Sequence, residues 1–207
     1  MILNYRRCRK MGRVQRVLRN GDNQWKIVGK SDSLRENSYS SEGACFIHME
    51  LSMFGGTREK HGEVMKQYLG KVILSNNREA VIYDCGEKGT LFFNGIYYWN
   101  FEIGAEVYTV YEVGFGHRAI YYCVYFQGKT VAILSVKMKG EMSAIEFDIY
   151  AMNHVPLDLL GAIATFVDVQ RYQGRTDTEA IHCLNTFQKK LRNKYDRAFI
   201  ENIKREG

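Results

Sequence analysis

The 207-residue sequence predicts a mainly β (α+β) protein, an antiparallel β-barrel around a central hydrophobic helix at about residues 156–171, followed by a C-terminal amphipathic helix. Between residues 13 and 151, short runs rich in Val, Ile, Tyr and Phe are broken roughly every 8–12 residues by Gly and Asn, the rhythm of antiparallel strands. The segment PLDLLGAIATFVDV that follows is apolar in nearly every helical direction, and such a helix has to be covered on all sides. A closed sheet can cover one short helix completely.

Taken in order, strands are expected near 13–19, 24–30, 44–53, 69–75, 78–84, 90–94, 96–101, 106–113, 118–126, 130–137 and 143–151, with a short helical connection over 60–67. In IYYCVYFQGKTVAILSVK the Gln127-Gly128-Lys129 step separates two alternating runs, and glycine supplies the positive φ of a tight hairpin turn. Asn76-Asn77 repeats that device in VILSNNREAVIYD. In SAIEFDIYA, Ile145, Phe147 and Ile149 share one face and Glu146, Asp148 and Tyr150 the other, so one side of this strand is buried.

Pro156 suits a helix start, and Asp158 accepts from the free N–H groups of the first turn. Gly161 and Ala164 let the barrel wall approach closely. Thr176-Asp177-Thr178-Glu179 is a capping box opening a second helix, along which Ile181, Leu184, Phe187, Leu191, Tyr195, Phe199 and Ile203 form one stripe. That stripe is expected to dock outside its own barrel, with dimerisation or membrane contact as the alternatives. The chain thus divides into a basic segment 1–12, a barrel domain 13–172 with its core helix, and a helical segment 173–207.

Charge is unevenly distributed beneath a net +6. Residues 1–30 carry nine basic side chains against Asp22, and residues 171–207 carry nine against five, so the middle is acidic. A basic front on an acidic body suits a polyanion or an anionic bilayer, or simply lies against the body. Lys10, Arg13, Arg16 and Arg19 are the candidates for an anion patch. Arg13, Arg16 and Arg19 lie three apart, so they share a face on a helix but split between faces on a strand.

Five cysteines without a CxxC pair or secretory signal read as reduced thiols in a cytoplasmic protein, with attachment to a membrane surface as a peripheral option. The longest apolar run is far below the roughly 20 residues of a spanning helix. Catalytic and metal signals are weak. Gly114-Phe115-Gly116-His117 lacks the third glycine and βαβ setting of a dinucleotide loop and reads as a turn. His182-Cys183 diverge by about 100° on a helix. Cys45 and His48 lack a zinc spacing, and Glu146 with Asp148 reads as a polar strand face. His117 and His154 lack a partner carboxylate. Trp25, Tyr97, Tyr98 and Trp99 have the ring types that stack on bases, though such residues in strands more often form core or cross-strand pairs. No catalytic residue, metal ligand or cofactor is expected.

The run YYCVYFQGKTVAILSVKMKGEMSAIEFDIYAMNHVPLDLLGAIATFVD resembles the last part of the tubby C-terminal-like superfamily, which includes the LURP-one-related proteins, the phospholipid scramblases and small bacterial members. The shared features are a G-K-x-(V/I)-A strand, a strand ending in (I/F)-x-(I/V)-Y, and a Leu/Ala-rich helix closing with Val167-Asp168. YEVGFGHRAIYYC is also similar to bacterial members, and REAVIYDCGEKGTLFF more loosely so. The resemblance implies a barrel around a hydrophobic helix and a binding or scaffold role rather than an enzyme, with a protein or an anionic membrane surface as partner. Two alternatives stand beside it, a nucleic-acid-binding protein acting through the basic N-terminus and an enzyme whose site is assembled from loops.

Overall fold

The computed structural model describes residues 1–10, 13–30, 38–43, 45–52, 58–61, 64–87, 96–115, 119–138, 145–172 and 189–206. Thirteen strands lie among them: β1 (Ile2–Lys10), β2 (Arg13–Asn20), β3 (Asn23–Lys30), β4 (Ser38–Ser41), β5 (Ile47–Leu51), β6 (Arg58–His61), β7 (Val64–Leu74), β8 (Glu79–Glu87), β9 (Ile96–Ile103), β10 (Glu106–Gly114), β11 (Ile120–Phe126), β12 (Lys129–Met138) and β13 (Ile145–Ala151). Neighbours in sequence pair antiparallel except β5 and β6, with β1 beside β13 and β5 beside β7. The last pairing closes twelve strands into a barrel and leaves β6 outside the ring, hydrogen-bonded to the first half of β7. A register shift between Tyr68 and Gly70 marks where β7 passes from β6 to β5.

Twelve strands enclose more than side chains alone can fill, since about eight already give an interior just wide enough for them. The surplus is taken up by α1 (Leu157–Tyr172), which runs about 24 Å at 1.5 Å per residue. Every residue from Asp158 to Asp168 is buried. Phe166 meets Trp99 and Phe101 edge-on, with ring centroids 5.3 and 5.4 Å apart. At Gly161 the wall comes so close that an added Cβ would lie 2.9 Å from Cys45 Sγ and 3.2 Å from Leu18 Cδ2. The expected close approach is therefore real at that residue.

The two hairpin turns follow their residues. Gln127 and Gly128 adopt φ of 49° and 75°, the left-handed pair a two-residue loop requires, and Asn76 and Asn77 adopt 60° and 56° in a three-residue turn closed by Leu74 N–H donating to the Arg78 carbonyl.

Three expectations are corrected. The segment 1–12 does not stand apart, because Ile2–Lys10 is a full wall strand between β2 and β13. Leu3, Tyr5 and Arg7 point inward from it and are buried, an alternation disguised in the sequence by one inward residue being charged. The region 60–67 holds the end of β6 and the start of β7 rather than a helix, and there β7 lies between β6 and β8. The C-terminal stripe is interrupted. Within the described residues it forms α2 (Lys189–Arg192) and α3 (Arg197–Glu206), with a turn over 193–196. Asp196 is the reason: its Oδ1 accepts from the N–H groups of Ala198 and Phe199 at 2.9 and 3.2 Å, capping a fresh helix. Phe199, Ile200 and Ile203 then bury against Val113, Cys123, Ile133 and Tyr150 on the outer wall, so the described part of the stripe docks on its own barrel. The capping box at 176–179 and the strand expected at 90–94 lie outside the described residues.

Candidate functional site

The basic front of the chain is built by β1, β2 and β3, and strand alternation divides its cations into two sets. Arg7 and Arg16 are register partners and both turn inward. Two guanidinium groups opposite one another repel, and Asp168 on α1 resolves the conflict. Its Oδ1 faces Arg7 Nε at 3.2 Å and its Oδ2 accepts from Arg16 Nε at 2.9 Å. Tyr5 donates its hydroxyl to the same Oδ2 at 3.0 Å. One positive charge remains over, and the surroundings compensate it. Arg7 Nη1 donates to the carbonyl of Tyr172 at 2.8 Å, at the negative end of the helix dipole, and the Arg16 guanidinium lies 4.8 Å from the centre of the Tyr39 ring.

Arg16 is 1% exposed and Asp168 0%, so this group is shut off from solvent. Burial alone would lower the Arg16 pKa, but its neighbours Tyr5 and Asp168 more than offset that and hold it above the ordinary value. Burial, reinforced by the Asp168 charge, raises the Tyr5 phenol well above its usual range. Near the same end of α1, the hydroxyls of Tyr122 and Tyr172 share a hydrogen bond of 2.9 Å. Arg171 pairs with Glu112 at 2.6 Å while lying over Trp99. At the other end of α1, Asp158 Oδ2 accepts from Ser75 N–H at 2.8 Å, in the turn between β7 and β8. Both ends of the central helix are thus tied to the wall through buried carboxylates.

The second set of cations stays outside. Across one row of the outer wall the register reads Lys137, Glu146, Arg6, Val17, Lys26, and the next reads Ser135, Asp148, Asn4, Arg19, Gln24. On the β12–β13 side the charges are paired, Arg6 with Glu146 at 3.3 Å and Lys137 with Asp148. On the β2–β3 side Arg19 and Lys26 are exposed diagonal neighbours, Arg19 Nε donating to the Gln24 side-chain carbonyl at 3.2 Å, and Val28 beside them is 56% exposed. Lys10 and Arg13 are register partners at the far end of the β1–β2 hairpin.

The four expected anion-patch residues are therefore not one cluster. Arg16 belongs to the interior, Arg19 to the exposed outer face, and Lys10 with Arg13 to the opposite end of the hairpin. Spacing by three had allowed this split on a strand. The role of Asp168 was missed, and the Val-Asp ending of an otherwise apolar helix was the signal for it, since a carboxylate there needs buried cations.

Other candidates resolve structurally. Trp99 is core, Trp25 half-buried, and Glu146 and Asp148 are paired with the cations on either side. Burial pushes the Cys45 thiol up to about 12, with Asp158 adding to it, and Cys85 also to about 12, so both stay protonated at neutral pH. Among the described residues no group of His, Cys, Asp and Glu is placed to hold a metal ion. No described helix is long and apolar enough to cross a membrane. His117 and His182-Cys183 lie outside the described residues. No protein-family model, curated protein or solved structure matches this chain.

Proposed function

We propose that the chain is a non-enzymatic binding module of the tubby C-terminal-like kind, working through the outer wall of β1–β3 on an anionic membrane surface. The observation that supports it most is the occupied interior: α1 fills the lumen, and Arg7 and Arg16 are neutralised there by Asp168, so recognition falls to the outside. Exposed Arg19 and Lys26 beside exposed Val28 combine charge with apolar area, as a peripheral membrane contact requires.

Co-sedimentation with phosphatidylserine-containing and pure phosphatidylcholine vesicles tests the reading. Deleting the basic terminus is not a usable control, because it removes β1 and opens the barrel. The control is the fourfold variant Lys10→Glu, Arg13→Glu, Arg19→Glu, Lys26→Glu. Each cation near an anionic surface contributes about 1 kcal/mol, so binding should fall by well over tenfold in the variant and at high salt. Equal binding to both vesicles, or none, would overturn the membrane reading and leave a protein-interaction wall. Preference for a nucleic acid over vesicles, abolished by the same substitutions, would replace it with nucleic-acid binding.

A further inference from the structure

A second outer surface lies on β9, β10 and β11, away from the basic strands, and is independent of the reading above. Tyr98 and Tyr111 are register partners there, and Tyr125 is the diagonal neighbour of Tyr111. The Tyr98 and Tyr111 rings lie 5.3 Å apart, and the Tyr111 and Tyr125 rings 5.5 Å apart at 88°. Two perpendicular rings make a corner, and an ammonium group occupies it. Lys194 Nζ is 4.7 Å from the centre of Tyr111 and 5.0 Å from the centre of Tyr125. Among the described residues Lys194 makes no ion pair with a carboxylate, so ring faces supply the negative potential around its charge.

The lysine is delivered by the turn between α2 and α3. The Tyr125 hydroxyl donates to the Lys194 carbonyl at 2.9 Å, and the next residue, Tyr195, stacks on Tyr121 at 4.2 Å. A primary ammonium is strongly hydrated and gains little from leaving water, whereas a methylated ammonium keeps its charge and loses much of that hydration. A corner that accepts the first has the chemistry to prefer the second.

We propose that Tyr98, Tyr111 and Tyr125 form a recognition site for a methylated ammonium group, held closed by the chain's own Lys194. Removing the internal cation should open it. The test is titration of the full chain with tetramethylammonium and choline, followed by the NMR signals of the tyrosine rings, in the wild type and in Lys194→Gln. The neutral choline isostere 3,3-dimethylbutan-1-ol separates charge recognition from apolar contact. The expected result is binding of both cations at least about fivefold tighter in Lys194→Gln than in the wild type, loss of that gain in Lys194→Gln with Tyr98→Leu, and no binding of the isostere. Free choline against free trimethyl-lysine then shows which carrier of the group the walls admit. Equal affinity in wild type and Lys194→Gln, binding of the isostere as tight as choline, or no binding in either protein would overturn the proposal.

Discussion

Arg7 and Arg16 face one another across a hydrogen-bonded strand pair, and one carboxylate from the central helix reconciles them. Removing that carboxylate leaves two buried cations without their counter-ion, and loss of one partner of a buried pair costs about 3–5 kcal/mol. Asp168→Ala is expected to lower stability by that amount in chemical denaturation, whereas replacing the three together, Arg7→Met, Arg16→Met and Asp168→Leu, is expected to recover most of the loss. The buried phenols set a pH limit of a different kind. Tyr5, Tyr122 and Tyr172 have their pKa values raised by burial above the ordinary 10.0, so in the folded state they keep protons that the unfolded chain releases. Their contribution is complete below about pH 10 and is lost as pH rises beyond it. Thermal melts across that range should show the melting temperature falling, with the phenolate absorbance of these rings appearing only on unfolding. At this scale the sequence was least legible. Burial of Arg16 turns on the parity of a strand, and a spacing of three residues is silent about parity until the backbone conformation is known.

Elements were read with more success, and the exceptions share one cause. Hairpins with Asn76-Asn77 and Gln127-Gly128, the alternation in β13 and the all-round apolar helix are local patterns, visible in a dozen residues. β1 escaped because its inward face carries Arg7, whose apolar equivalence depends on Asp168, more than 150 positions away. The break between α2 and α3 was legible in Asp196, two and three residues ahead of the N–H groups it caps, but the apolar stripe ran through it and suggested one continuous helix. Gly161 offers the sharpest test of how α1 meets the wall. Gly161→Ala forces a methyl group to 2.9 Å from Cys45 Sγ and is expected to cost about 1–3 kcal/mol, as overpacking does. Adding Cys45→Ala should restore part of that stability, measured by the same denaturation, because it removes the nearest atom; an unchanged double variant would mean that Leu18 alone sets the limit.

For the whole molecule, closure and filling depend on each other. The ring is completed by β5 on β7 and by the first strand on the last, and because the second pairing joins distant parts of the chain, closure has to wait for a long-range contact. α1 supplies the apolar surface that the inner faces of the strands need, and the strands supply partners for the carboxylates at its two ends. With α1 buried along its length the lumen is occupied, which leaves the outer wall as the surface for the binding proposed above. Leu160→Asp or Ala164→Phe should accordingly abolish soluble expression rather than create a cavity. The most direct measurement is native-state hydrogen exchange followed by mass spectrometry, comparing peptides from α1 with peptides from β1 and β13 over increasing denaturant. Amides of residues 160–168 are expected to exchange only through global unfolding, with the same free energy and denaturant dependence as the wall strands. Exchange of α1 through a smaller opening, while β1 and β13 stay protected, would show that the helix leaves the barrel in the folded protein, and would make the lumen itself the place to look for a ligand.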